Sequence, residues 1–320
     1  MQQSTEYEVN DLTTVDSSNQ WLDKGFTWLV RIFAGCTVFL LFWMSWIIFE
    51  KAWPAISKYG LGFLWGQEWE VSTLVFGALP YIYGTLVSSA IALLLAFPVG
   101  LAVAIVTSED FLPPVVRNPL AFTIELIAAI PSVIIGLWGI FVLIPFLDPV
   151  QQWLYQNLGW FPLFSTQPAG YGMLVAGLIL AIMILPTMAA ISREVLLAIP
   201  KELRSGSMSL GATRWETIFG VILPAAASGI LGAAILALGR AIGETMAVTL
   251  VIGNSPVISP SILDLGYTIP AVMANEFGEA QDDLHVGALM YLALVLFVVT
   301  LLVNMAAVLL VRLIGNKQRK

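Results

Sequence analysis

An arginine and a glutamate stand four residues apart, Arg240 and Glu244, in the stretch GRAIGETMAV, inside a run that is otherwise apolar from about Val221 to Ile252. A charge at that depth in a bilayer costs roughly 2.5–3.5 kcal/mol by insertion scales, so an intramembrane ionisable residue is a functional candidate by default. On an unbroken helix the i, i+4 spacing puts both side chains on one face. Gly239 and Gly243 beside them make a small-xxx-small strip that another helix can approach closely. Counted between Pro224 and Gly253, Arg240 falls near the middle of the run, roughly 20 Å from either end, beyond the reach of snorkelling. Two readings follow from the residues. The pair neutralises itself, with Glu125 as another partner, and locks helices together. Alternatively, the planar fork of Arg240 meets an oxyanion in a pathway while Glu244 weakens the potential enough for release. Thr245 and Thr249 offer hydroxyls nearby, although a threonine can equally bond its own helix. Ser132, beside Pro131, and Ser88 and Ser89 are weaker lining candidates, since such residues also pack helices in membranes.

The elements that must position these residues are membrane helices. Of the 320 residues 58% are hydrophobic and only 11% charged, with mean hydropathy +0.88, which excludes a water-soluble globule. Short alternating strands of a barrel are absent from the pattern. Six apolar segments reach spanning length: Trp28–Phe49, Ala78–Thr107, Pro119–Leu147, Tyr171–Ser192, Val221–Ile252 and Val286–Ile314. The fold class is all-α and polytopic. Lys24, Arg31, Arg117, Arg193, Lys201, Arg204, Arg214, Arg312, Lys317, Arg319 and Lys320 fall on one side of this layout, against Lys51 and Lys58 on the other. That bias places both termini in the cytoplasm of a multi-pass plasma-membrane protein. Trp53, Trp65, Trp69, Trp153 and Trp160 fall in outer linkers and at span ends, where indoles favour the interface. Pro98, Pro131 and Pro186 mark kinks or breaks. The first 27 residues form a polar, acidic tail unlike the basic start of a signal peptide. Cys36 reads as a buried small hydrophobe, and His285, next to Asp282 and Asp283, as part of the outer surface and not as a metal site.

The linker after the fourth segment, residues 193–220, alternates helical pieces with breakers. Pro200 ends one helix, and Gly206 and Gly211 permit a tight turn. Thr213 followed by Glu216 has capping-box spacing ahead of the next apolar run. A short helix across the cytoplasmic face follows, of the kind that lays one face into a partner's groove, with a solvated loop as the plain alternative.

This linker resembles the EAA loop of ABC importer permeases: Glu-Ala-Ala, three residues, Gly, nine residues, an aliphatic, any residue, Leu-Pro. Here Ser205-Gly206-Ser207 occupy the first three positions, a departure, and Gly211, Val221, Leu223 and Pro224 keep the spacing around GATRWE. ELIAAIPSVIIGLWGIFVLIP, Glu125 to Pro145, and GRAIGETMAVTLVIGN, Gly239 to Asn254, are similar to the signatures of the PstC-type permeases of phosphate-specific ABC importers. The similarity covers all six segments and not the acidic tail.

The resemblance implies a transmembrane domain over 28–320 with six helices of the type I importer fold. It also implies that Ser205, Gly206, Ser207, Gly211, Ala212, Thr213, Arg214, Trp215 and Glu216 form the coupling region toward a separate ATPase. Substrate would pass Arg240, Glu244, Thr245, Glu125 and Ser132. The expected partners are a homologous permease of PstA type, two ATPase subunits, a periplasmic phosphate-binding protein, phosphate and membrane lipid, with no nucleic acid and no cofactor. The chain has no G-x-x-x-x-G-K-[ST], so it is not the motor, and no nucleophile–base constellation points to an enzyme. The alternatives are a permease for molybdate or sulfate, or an ATP-independent anion channel or carrier.

Overall fold

A computed structural model describes residues 20–109 and 111–317, with side chains from Lys24 to Leu309. The acidic tail up to Asn19 lies outside the described residues. The chain forms two compact units, Met1–Glu50 and Lys51–Lys320. Six described helical segments are long and apolar enough to cross a membrane: Lys24–Leu64, Leu79–Ser108, Ser132–Leu158, Met173–Leu197, Arg214–Gly243 and Asp283–Leu309.

The first unit consists, among its described residues, of the opening turns of α1 (Gln20–Tyr59), whose apolar side chains are exposed on every side. A helix apolar all round belongs in lipid. Cys36 is exposed there, not buried as its residue type suggested, because no other element of this unit covers it.

The second unit is built on α2 (Leu79–Ser108) and α6 (Met173–Leu197), which run in the same direction. Their backbones meet where glycine removes the side chain. A Cβ on Gly177 would lie 2.4 Å from Ile91 Cγ2, and one on Gly100 would lie 2.7 Å from Met188 Cγ. Pro98 and Pro186 sit inside these helices without ending them. The fifth segment, α9 (Leu223–Gly243), packs antiparallel on α6, with Gly229 against Val195. These helices enclose a core of Ala92, Ala96, Ile179, Ile184, Ala233 and Ala237 among others, in which small residues permit close backbone approach.

The third segment corrects its sequence reading. Helix α3 (Pro114–Ala128) contains Pro119 and buries none of its side chains. Residues 129–131 are not helical, and the chain restarts as α4 (Ser132–Trp138), a π-turn over 139–143 and α5 (Ile144–Leu158). Pro131 is the N-cap of α4, where its missing N–H and fixed φ do no harm, so this span starts thirteen residues after Pro119.

At the end where α2 begins, an antiparallel hairpin of β1 (Trp69–Glu70) and β2 (Val75–Phe76) packs with α11 (Ile269–Glu276) and the start of α12 (Asp283–Lys317). His285 is not at the surface: only 5% exposed, it stacks on Phe76 at 5.4 Å, and its Nε2 lies 3.0 Å from Glu276 Oε2. The same carboxylate oxygen accepts a 2.9 Å hydrogen bond from Trp69 Nε1. Sequence neighbours Asp282 and Asp283 stay exposed, because the first turn of α12 points His285 inward under the hairpin.

At the opposite end α6 closes before Pro200, which is the N-cap of α7 (Lys201–Ser209). Gly206 is helical inside α7, so the turn rests on Gly211 alone, at φ +89°, where a side chain would be strained. Thr213 caps α8 (Arg214–Thr217) in the expected reciprocal box. Its Oγ1 accepts from the Glu216 N–H at 3.3 Å, and Glu216 Oε2 accepts from the Thr213 N–H at 2.7 Å. A π-turn over 218–222 then leads into α9.

A broken helix beside Arg240

The run from Val221 to Ile252 is two helices, not one. α9 ends at Gly243, Glu244 has extended backbone (φ −69°, ψ 129°), and the chain resumes as α10 (Met246–Val251). Arg240 and Glu244 therefore do not share a helix face. Arg240 lies in the last turn of α9, about 4–5 Å from its end, and not 20 Å from both ends. The sequence reading assumed continuity because every residue around the break is apolar, small or helix-compatible.

The break explains the signs of the two charges. A helix C-terminus carries partial negative charge and an N-terminus partial positive charge. Arg240 sits at the first, while the Glu244 carboxylate accepts a 3.4 Å hydrogen bond from the Ala247 N–H at the start of α10. Among the described residues the two form no salt bridge. Arg240 Nη1 instead donates to Thr187 Oγ1 of α6 at 3.0 Å. Thr187 lies fourteen residues into the twenty-five of α6, about 21 Å from one end and about 15 Å from the other. Arg240 is thus at mid-depth on α6 even though it is near the end of α9.

The remaining sequence candidates fall around this break or away from it. α4 packs on α10: a Cβ at Gly136 would lie 3.1 Å from Ala247 Cα, and one at Gly139 would lie 2.9 Å from Val251 Cγ1. These pairs make the two helices parallel, so Ser132, one turn before Gly136, stands level with Glu244 and Thr245. Two spans are therefore interrupted at one level. Thr245 Oγ1 donates locally to Gly243 O at 3.3 Å, and Thr249 Oγ1 to Thr245 O at 2.8 Å, the self-bonding alternative. Glu125 is not part of this group. It is exposed on α3 and shares a small crevice with Thr107 of α2 and with Ala190 and Arg193 of α6, one to two turns beyond Thr187. Ser88 and Ser89 are buried inside α2, and Ser88 bonds its own helix at Gly84 O, 2.7 Å.

The face around Arg240 is open in this chain. The guanidinium is exposed, and a Cβ on Gly239 or Gly243 would meet nothing within 4 Å, so among the described residues no helix mates with the glycine strip. Gly243 and Thr245 also border a crevice of about 410 Å³ with Met273, Phe277 and Met290. Non-helical backbone at membrane depth is tolerated where it is buried in protein or lines a cavity. Broken helices at mid-depth are where transporters place binding sites.

The loop side holds a feature that sequence reading missed. Arg204, counted there only as a basic loop residue, donates from Nη2 to Glu109 Oε1 at 2.9 Å and from Nε to the same oxygen at 3.1 Å. It also donates to Ile199 O at 2.8 Å and to Leu196 O at 2.7 Å. Ninety-five residues separate the partners, so no local pattern signals the pair. Around α7 and α8 large apolar side chains stand out, with Leu210 at 92% exposure and Trp215 at 55%. Ser205 and Gly206 are exposed, while Ser207 Oγ and Thr217 Oγ1 share a 3.0 Å hydrogen bond between α7 and α8.

Comparison with known proteins agrees with a transport component. Residues 96–320 match the family of binding-protein-dependent transport system inner membrane components. The chain belongs to that family and is a multi-pass inner-membrane protein. Among curated relatives, the phosphate transport system permease protein PstC of Mesorhizobium japonicum is 44% identical over 80% of each chain. The protein of the same name from Xylella fastidiosa (strain Temecula1) is 42% identical over 82% of each, and that from Pasteurella multocida is 38% identical over 99% of each. Among solved structures, a chain of a bacterial alginate ABC transporter superposes with TM-score 0.59 at 16% identity, covering 90% of this chain and 96% of that one. One from the MetNI methionine ABC transporter gives 0.51 at 18%, covering 74% and 94%. These two share the fold.

Proposed function

We propose that the chain is the PstC-type permease subunit of an ATP-driven inorganic phosphate importer, with the anion passing Arg240 where the fifth span breaks. The observation that carries this reading is the guanidinium at mid-depth, held by one hydrogen bond to Thr187 and facing open space among the described residues. The names of the 38–44% identical relatives supply the substrate class. A fork of N–H donors fits a tetrahedral oxyanion. Glu244 and Thr245 flank it in the break, Ser132 stands level with them, and Glu125 lies further along the route beside Arg193.

In this reading 28–320 is the transmembrane domain, and the face carrying α7 and α8 is cytoplasmic, as are both termini. Residues 193–220 couple to the ATPase, with Ser205, Gly206, Ser207, Gly211, Ala212, Thr213, Arg214, Trp215 and Glu216 at or near the contact. The exposed Leu210 and Trp215 suit the apolar groove of a partner subunit. The open face with Gly239 and Gly243 suits a homologous permease of PstA type that closes the path. Two ATPase subunits and a periplasmic phosphate-binding protein complete the assembly.

The test is uptake of radiolabelled phosphate by vesicles holding the full complex, with and without ATP, and with sulfate or molybdate as competitors. Uptake that needs ATP and is blocked only by unlabelled phosphate supports the reading. Equal competition by another oxyanion reassigns the substrate, and uptake without ATP replaces the importer by a channel or carrier.

A further inference from the structure

We propose that the Arg204–Glu109 pair is the joint through which α7 moves α2 and α6, so that it sets how much transport each ATP drives. The inference rests on the proposed role of α7 as the ATPase-facing element. Its geometry is independent of the Arg240 site.

Glu109 is the C-cap of α2, with extended backbone and its N–H bonded to Ile105 O. Leu196 O, in the last turn of α6 and also accepting from the Ile199 N–H at 3.3 Å, and Ile199 O, just past the helix end, supply two further carbonyls. One guanidinium in α7 fills both places. Nε and Nη2 take the carboxylate, and Nη1 and Nη2 take the two carbonyls, at 2.7–3.1 Å. A cation is favoured at that pole of the α6 dipole, and Nε and Nη2 converge on Glu109 Oε1 while Nε also reaches Oε2 at 3.3 Å, so the carboxylate is held by more than one donor. Both side chains are mostly covered, at 17% and 16% exposure, so solvent screens the pair less than an ordinary surface ion pair. Parallel α2 and α6 pack closely along their length, meeting at Gly100 and Gly177. A displacement of α7 therefore reaches both at once.

A second tie from α7 is the Ser207–Thr217 hydroxyl contact to α8, an uncharged hydrogen bond, and α8 continues into α9. Beside the joint lies a crevice of about 140 Å³ that also touches Met208 and Thr217, so α7 has room to shift. From α6 the displacement meets α9 again at Thr187 and Arg240. Coupling between distant sites requires such rigid elements joined at defined contacts.

The experiment measures phosphate taken up per ATP hydrolysed by the full complex in vesicles, for wild type, Glu109→Gln, Arg204→Gln and Arg204→Lys. Glu109→Gln and Arg204→Gln are expected to assemble and to hydrolyse ATP when the binding protein is added. Their transport per ATP falls about tenfold, within the range of coupling free energies between sites. Arg204→Lys, with the charge but no fork, falls in between. On a Cys36→Ser background, Glu109→Cys combined with Arg204→Cys loses coupling and regains it when a short bis-maleimide bridges the two positions. An unchanged ratio in the single variants overturns the proposal. So does a bridged complex that assembles yet stays uncoupled, since rejoining the two positions would then not restore transport per ATP. If wild-type complex moves no phosphate, the phosphate assignment fails instead, and the ratio is read with the anion that the complex carries.

Discussion

Gly136 offers a sharp test of how the break is held in place. A Cβ there would stand 3.1 Å from the backbone Cα of Ala247 and 2.6 Å from Leu250 Cδ1. The leucine end can rotate away, whereas the backbone must move. Ordinary carbon contact is about 3.5–4.0 Å, so α10 withdraws from α4 by roughly half an ångström in Gly136→Ala. The two further carbons of Gly136→Val require on the order of 1 Å, at an overpacking cost of about 1–3 kcal/mol. α10 begins directly after Glu244 and Thr245, so that shift passes into the break. A misplacement of about 1 Å in a positioned site costs up to about a hundredfold in rate. Phosphate uptake by Gly136→Ala vesicles should fall severalfold and by Gly136→Val much further, with the complex still assembled by size exclusion. Gly35→Ala, where the added carbon meets nothing within 4 Å, is the control and should transport normally. Wild-type uptake in an assembled Gly136→Val complex would refute the claim that α4 positions the break.

Thr187→Val deletes the hydrogen bond that Arg240 donates to Thr187 while keeping shape, and about 1 kcal/mol of lost orientation should lower uptake roughly fivefold without changing assembly. Thr213→Ala removes half of the capping box, and amides of residues 214–217 should exchange with deuterium several times faster, as expected for about 1 kcal/mol. His285→Leu leaves Glu276 with Trp69 alone and should lower the Tm of the purified complex more than His285→Gln, which retains a hydrogen-bonding group; equal Tm values would show that the His285–Glu276 contact is not stabilising. In sealed right-side-out vesicles, Ser209→Cys on a Cys36→Ser background should resist a charged maleimide while Glu279→Cys reacts, and the reverse pattern would invert the proposed orientation.

Hydropathy made the six spans legible, because the bilayer demands about twenty apolar residues whatever the tertiary structure. The Thr213–Glu216 cap was legible too, since it depends on neighbours three residues apart. The interruptions were not. Glu244 and Thr245 are no stronger breakers than many residues inside continuous helices, and the packing of α4 against α10 beside the break is a contact across more than a hundred residues. Pro131 and Pro119 look alike in sequence, yet only the first marks a break, because Pro119 is carried within α3. His285 read as a surface residue beside two aspartates until the hairpin placed Trp69 and Phe76 over it. Arg204 and Glu109 were each one charge among several at loop ends, and nothing short of the helix packing joins them. Arg240 and Glu244 do not share the helix face that their spacing implied: they stand at opposite helix ends.

The measurement closest to the central claim is ATP-dependent uptake of radiolabelled phosphate by vesicles containing the full complex, with wild type beside an Arg240→Gln variant of verified assembly. Uptake is expected to be lost while ATPase activity stimulated by the binding protein persists, because the proposed path runs past the exposed guanidinium and the substitution leaves α7 untouched. Wild-type uptake by the variant would contradict that claim and leave Arg240 as a helix-terminal charge bonded to Thr187.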